Sequence, residues 1–219
     1  MKKQLTLALV LATTLTFTAC GKAAPPAATP PTQEAAATTF TDPRDKKTYK
    51  TVKIGEQVWM AENLNYEAKG SKCYDNKPAN CQKYGRLYDW NTAMKACPSG
   101  WKLPSQQEWE SLADAIGGNI SSDDCADCYE VSKLKSKNGW NESNGTDDYG
   151  FSALPGGISY PGYGADCGNF CEVGELGYWW TATTANSEDI AYIWVMSDYT
   201  DIWNGSYKTK GLSVRCIKD

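Results

Sequence analysis

Apolar residues recur along this chain with two different periods. Between Thr48 and Asn65, the run Tyr49, Val52 and Ile54 leads into Gly55-Glu56, and Val58-Trp59-Met60 follows. That stretch reads as strand, turn, strand. Trp90, Ala93, Met94 and Cys97 then fall at i, i+3, i+4 and i+7, which predicts a short helix over 89–96 with these side chains on one face. The same spacing returns at Trp109, Leu112, Ala113 and Ile116. This second helix has its start marked by the pair Ser105 and Glu108, a capping box, and its end by Gly117-Gly118. Trp101 and Trp109 are expected in the core, and Glu108 as a cap. Toward the C-terminus the period drops to two. Ile193 and Val195 alternate with Tyr192, Trp194 and Met196, and Leu212, Val214 and Cys216 alternate with Ser213 and Arg215. These read as strands, with turns at Ser197-Asp198 and Lys210-Gly211. The intervening 139–157 stretch is rich in Gly, Asn and Asp, as long loops are. The pattern predicts an α+β domain: two short helices early, then a twisted antiparallel sheet with long irregular loops.

The N-terminal 41 residues follow neither period. Lys2 and Lys3 precede an apolar run from Leu5 to Phe17, and Thr18-Ala19-Cys20 follows. The run is shorter than the ~20 residues that span a hydrocarbon core, and the order basic, apolar, small is that of a bacterial export signal. A small residue just before cysteine looks like a lipoprotein signal, with residues 1–19 removed and acyl chains such as palmitate added to Cys20. Phe17 stands where Leu is usual. An ordinary secretory peptide cut near Ala19 is the alternative. Gly21 does not resemble an inner-membrane retention signal, so an outer-membrane or cell-surface anchor is expected. Residues 20–41 are mostly Ala, Pro and Thr, too poor in apolar surface to offset the entropy of ordering. They are expected to form a disordered tether, leaving 42–219 as the folded domain.

Cysteine and histidine content narrow the chemistry. Nine cysteines are present. Setting Cys20 aside leaves an even number, which in an exported chain reads as disulfides. Spacing suggests the local staples Cys73–Cys81, Cys125–Cys128 and Cys167–Cys171, leaving Cys97 and Cys216 for one long-range bridge. Cys125-x-x-Cys128 is also a redox or zinc half-site spacing. It lacks the βαβ setting of the first and the second ligand pair of the other. Histidine is absent. That removes the base of Ser-His-Asp and Cys-His nucleophiles and the commonest transition-metal ligand. Without Lys2 and Lys3, the 26 acidic residues face 20 basic ones, which disfavours nucleic acid as a partner.

The C-terminal half is rich in amphipathic aromatics. Tyr149, Tyr160, Tyr163, Tyr178, Trp179, Trp180, Tyr199, Trp203 and Tyr207 offer flat apolar faces with polar edges, which suit sugar rings. Trp179, Trp180 and Trp194 are expected in the core. Tyr160, Tyr163, Tyr199, Trp203 and Tyr207 lie near glycines or turns and are the candidate ligand-binding set. Asn141, Asn144, Asp147, Asp148 and Asn204 could exchange hydrogen bonds with hydroxyls. No cofactor is expected except a structural calcium on Asp147 and Asp148, and these two acids serve equally as turn or cap acceptors. Glu108 and Asp148 have no spacing that supports a glycosidase pair.

Five ordered segments carry a family resemblance: "DPRDKKTYKTVKIGEQVWMAENLN", "KYGRLYDWNTAM", "CPSGWKLPSQQEWESL", "GTDDYGFSALPGG" and "LSVRCIKD". Together they closely resemble the Fibrobacter succinogenes major paralogous domain family, found on exported bacterial proteins. A helix ending at Cys97, a helix opened by "LPSQQEWE" and a cysteine in the last strand also look like the C-type lectin arrangement. That resemblance implies the same Cys97–Cys216 pair. It implies no sugar-bridging calcium, because Trp203-Asn204-Gly205 lacks the expected acid and the proline loop is missing. "KLPSQQEWE" and "SVRC" are also similar to the formylglycine-generating enzyme branch of that superfold, but the second thiol of that chemistry has no counterpart near Cys216. The expectation is a lipid-anchored, non-catalytic recognition module for polysaccharide, with a structural or adhesion protein that binds a surface protein as the alternative.

Overall fold

The computed structural model describes residues 38–117, 131–162, 168–185, 187–197 and 200–219, with backbone only for 200–204. A five-stranded antiparallel sheet joins the two ends of the domain. Its order is β1 (Thr38–Thr41), β2 (Thr48–Ile54), β3 (Gln57–Met60), β10 (Ile217–Lys218) and β4 (Trp101–Lys102). β2 and β3 form the expected hairpin, with Ile54 opposite Gln57 and Gly55 at φ 58° in the tight turn.

The start of the fold corrects the expected tether boundary. Thr38–Thr41 is an edge strand in register with Thr48–Thr51, not the end of a tether. Threonine favours a pleated surface. Here two cross-strand hydroxyl pairs, Thr38 with Thr51 at 2.6 Å and Thr41 with Thr48 at 2.9 Å, hold the strand, while Phe40 packs 5.3 Å from the Trp101 ring.

Three α-helices occur among the described residues, not two. α1 (Pro78–Tyr84) starts within the Cys73–Cys81 staple, behind a 3-10 turn at Tyr74–Asn76, and runs one turn past Cys81. Pro78 opens this helix, since proline, lacking an N–H, is suited to the first helical position. α2 (Trp90–Ala96) is capped by Asp89, which accepts from Thr92 N at 2.9 Å. Its buried face differs from the expected one. Ala93 and Ala96 are buried, whereas Met94 is 41% exposed, because this two-turn helix packs along one flank only. α3 (Gln106–Ala115) carries the full capping box between Ser105 and Glu108, and Trp109, Leu112, Ala113 and Ile116 are all buried as expected.

Two smaller antiparallel sheets follow. β5 (Gly156–Ser159) pairs with β6 (Phe170–Val173), and β7 (Gly177–Thr184), β8 (Ile190–Met196) and β9 (Thr200–Tyr207) form a three-stranded sheet. The period-two reading of β8 is correct in register, but the strand has no solvent face. Ala191, Ile193 and Val195 enter one core with Tyr178 and Trp180, while Trp194 and Met196 enter a second core with Trp179. A strand covered on both sides is apolar at every position. In the second core the Trp109 and Trp194 rings stack at 5.2 Å, and Trp59 lies 4.8 Å from Trp109.

The stretch 212–216 was expected as a strand and forms none. It threads between sheets instead. Leu212 bridges Tyr88, Ser213 bridges Trp179, Leu64 N donates to Val214 O, and Met60 N donates to Cys216 O. Every residue from Gly211 to Ile217 is buried. Cys216 is bonded to Cys97, closing a separation of 119 residues, and Cys73 to Cys81. Cys171 is disulfide-bonded. Cys125, Cys128 and Cys167 lie outside the described residues, as do Cys20 and the export signal.

Candidate functional site

The interior polar groups converge on Asn63 and Arg215. Arg215 is fully buried, and burial pulls its guanidinium pKa down to about 9. It faces acceptors without a formal charge: Asn63 Oδ1 at 2.8 and 3.1 Å, Phe151 O at 2.5 Å, Met60 O at 3.2 Å and Ser152 O at 3.4 Å. The Phe151 ring lies 4.5 Å from its carbon centre. Asn63 Oδ1 also accepts from Trp179 Nε1 at 2.8 Å, while its Nδ2 donates to Tyr84 O at 2.8 Å. One amide thus ties the first hairpin's exit, α1, β7 and the C-terminal segment together. This hub is sealed from solvent and is scaffold. Its sequence signal, an arginine inside an apolar alternation, was legible only as a strand position.

A polar pocket of about 520 Å³ opens at the surface. Four main-chain junctions build its walls. Lys72 and Leu87 exchange hydrogen bonds, as do Tyr88 with Leu212 and Ser159 with Gly211, and Trp90 N donates to Lys208 O. A Cβ at Gly211 would stand 2.2 Å from Ser159 Oγ, so a larger residue there would force that hydroxyl to turn. The lining comprises Gly70, Lys72, Leu87, Asp89 and Asn91 on one side, and Ser159, Pro161, Glu188, Asp189, Lys208, Thr209 and Gly211 on the other.

Aromatic rings lie against Lys208, which lines it, and against Lys210, the neighbour of the lining residues Thr209 and Gly211. Lys208 Nζ lies 4.3 Å from the Trp90 ring and donates to Glu188 O at 2.6 Å. Lys210 Nζ lies 4.7 Å from the Tyr160 ring and 5.9 Å from that of Tyr207. Tyr207 is 60% exposed, and Tyr160 is half-buried against the first core. Burial lowers the Lys210 pKa, an effect that Glu172 partly opposes. Burial, with a smaller contribution from Glu172, raises that of Tyr160. Glu172 accepts from the buried Tyr178 hydroxyl at 2.6 Å.

The expected site residues are therefore divided. Tyr160 and Tyr207 come together around Lys210. Tyr163 and Tyr199 lie outside the described residues. Trp203 sits in β9 opposite Ile193, its side chain outside the description, as is that of Asn204. Tyr149 is half-buried against the second core. Trp179, Trp180 and Trp194 are fully buried, as expected.

Asp147 holds its own loop, taking Ser152 N at 2.7 Å and Ser152 Oγ at 2.6 Å, and Asp148 is exposed. Among the described residues no three His, Cys, Asp or Glu side chains gather as a metal set. Asn144 Oδ1 accepts from Trp140 N. Cys216, the thiol that the enzymatic alternative would use, is taken by Cys97. Lys72, Lys208, Lys210 and Trp90 were not anticipated at the site. The "YKTKG" run at a turn was the one available signal for Lys208 and Lys210.

The Fibrobacter succinogenes major domain matches residues 52–218, from β2 to the last strand. The chain belongs to that family. The major domain spans the Cys73–Cys81 and Cys97–Cys216 bridges, the Asn63–Arg215 hub and all the pocket segments. No curated protein and no solved structure matches the chain. No helix among the described residues of this major domain protein is long and apolar enough to cross a membrane.

Proposed function

We propose that this major domain is a non-catalytic glycan-recognition module of the C-type-lectin-like superfold, held at the outer membrane or cell surface by a lipid on Cys20. One observation carries the glycan reading: a polar pocket with aromatic faces at its margin. Sugar rings present C–H faces and hydroxyl edges. Tyr207 and Tyr160 offer stacking surfaces, while Asn91, Ser159, Lys72, Glu188 and Asp189 offer donors and acceptors to hydroxyls. The superfold reading is supported by the Cys97–Cys216 bridge, which runs from the end of α2 to the terminal segment, and by the capped α3. The absence of histidine and the use of Cys216 in a bridge favour binding over catalysis.

The test is a pull-down of the purified full chain with cellulose, xylan and a glycan array, with and without calcium. Retention on a polysaccharide, weakened by Tyr207→Ala, is expected. Failure to bind any glycan, together with capture of one specific surface protein, would select the adhesion reading instead. Labelled palmitate should enter the wild-type chain and not Cys20→Ala.

A further inference from the structure

Resting on the glycan reading, we infer that the margin of the pocket selects glycans bearing an isolated uronic acid among neutral sugars, and that Lys210, which sits between the lining residues Thr209 and Gly211, is the residue that recognises the carboxylate. The warrant is the pairing state of the charges around the pocket. Asp89 is occupied, with Thr92 N at 2.9 Å on one carboxylate oxygen and Thr92 Oγ1 at 2.8 Å on the other. Glu172 holds the Tyr178 hydroxyl. Lys210 forms no ion pair among the described residues. Its ammonium instead lies beside the Tyr160 and Tyr207 rings.

A half-buried ammonium flanked by two aromatic faces is a ready partner for a sugar that carries a carboxylate on a stackable ring. The ring replaces water on Tyr207 while the carboxylate takes a charge-assisted hydrogen bond from Nζ. Glu188 and Asp189 also form no ion pair among the described residues, and together with Asp89 they outnumber Lys72 and Lys208 in the pocket lining. These carboxylates repel a continuous polyanion but accept from neutral hydroxyls. The ligand this arrangement fits is therefore sparsely charged.

The test uses the full chain and three probes in calorimetric titrations: a xylo-oligosaccharide carrying one glucuronic acid, the same oligosaccharide with that carboxyl reduced to the alcohol, and polygalacturonate. The uronate form should bind about tenfold tighter than its reduced counterpart, as one hydrogen bond to a charged group implies. That preference should shrink with added salt, fall below about twofold in Lys210→Gln and survive in Lys210→Arg. Polygalacturonate should bind more weakly per residue than the sparsely charged probe.

Equal affinity for the first two probes, an unchanged preference in Lys210→Gln, or tightest binding to polygalacturonate would overturn the inference while leaving glycan recognition in place. Absence of binding to all three, and to every glycan on the array, would overturn both. Thermal melting of each variant confirms that it is folded.

Discussion

Truncating Asn63 to alanine tests the internal hub. The side chain makes contacts that no neighbour can replace. Its oxygen serves Trp179 Nε1 and two guanidinium nitrogens of Arg215, and its nitrogen serves Tyr84 O. The residue is 5% exposed, so the stranded groups do not reach bulk water. An unpartnered buried polar group costs about 1–3 kcal/mol, and more if charged. Arg215 keeps the Met60, Phe151 and Ser152 carbonyls, which limits its share. The expected loss is about 3–5 kcal/mol. For a domain of this size that corresponds to roughly 10–15 °C in Tm, read by circular dichroism under non-reducing conditions. Pairing Asn63→Leu with Arg215→Met should cost less than the sum of the singles by at least about 1 kcal/mol, because the two side chains share one network. A Tm within about 3 °C of wild type for Asn63→Ala, or strict additivity in the cycle, would refute the hub.

Further outcomes follow from other contacts. Gly85→Ala should destabilise by about 2–4 kcal/mol in the same melt, since φ is 79° and a Cβ would stand 2.7 Å from Asn63 Cβ and 2.9 Å from Leu64 O. Replacing both Cys97 and Cys216 by serine should cost roughly 2 kcal/mol more than replacing Cys73 and Cys81, because chain entropy scales with the closed loop; urea titration of the two variants reads the difference. In acid, burial pushes the Asp42 and Glu108 carboxyls up, but hydrogen bonds outweigh it: Arg44 lowers Asp42, and Ser105 with Lys102 lowers Glu108. Between the folded and unfolded pKa values the unfolded chain binds more protons. Both groups therefore stabilise the fold above about pH 4 and lose that effect as pH falls below it. Tm measured from pH 7 to pH 2 should drop in that lower range, with a shallower drop in Asp42→Asn.

Much of the fold was legible because local and global preferences agree. The β2–β3 hairpin, the α3 capping box and the spacing of Trp109, Leu112, Ala113 and Ile116 each have a mechanism within a dozen residues. Spacing also left Cys97 and Cys216 as partners. The rest depends on distant segments. Whether Tyr192 to Met196 has a solvent face is decided by a second core built from Trp59, Trp109 and Phe151, which no local period reveals. Residues 212–216 alternate like a strand, but their partners are single residues from Leu64, Tyr88 and Trp179. Of the site, Tyr160 and Tyr207 were visible as aromatics near turns. The lysines were not, since a surface lysine acquires a role only from the rings that β5 and β9 bring beside it.

The pocket's role is tested most directly by titrating xylo-oligosaccharides, neutral and glucuronate-bearing, into the full chain and into Tyr207→Ala. Saturable binding that weakens about tenfold on loss of the ring, with the melting temperature unchanged, is the predicted result. Binding of equal strength in both proteins would contradict the account.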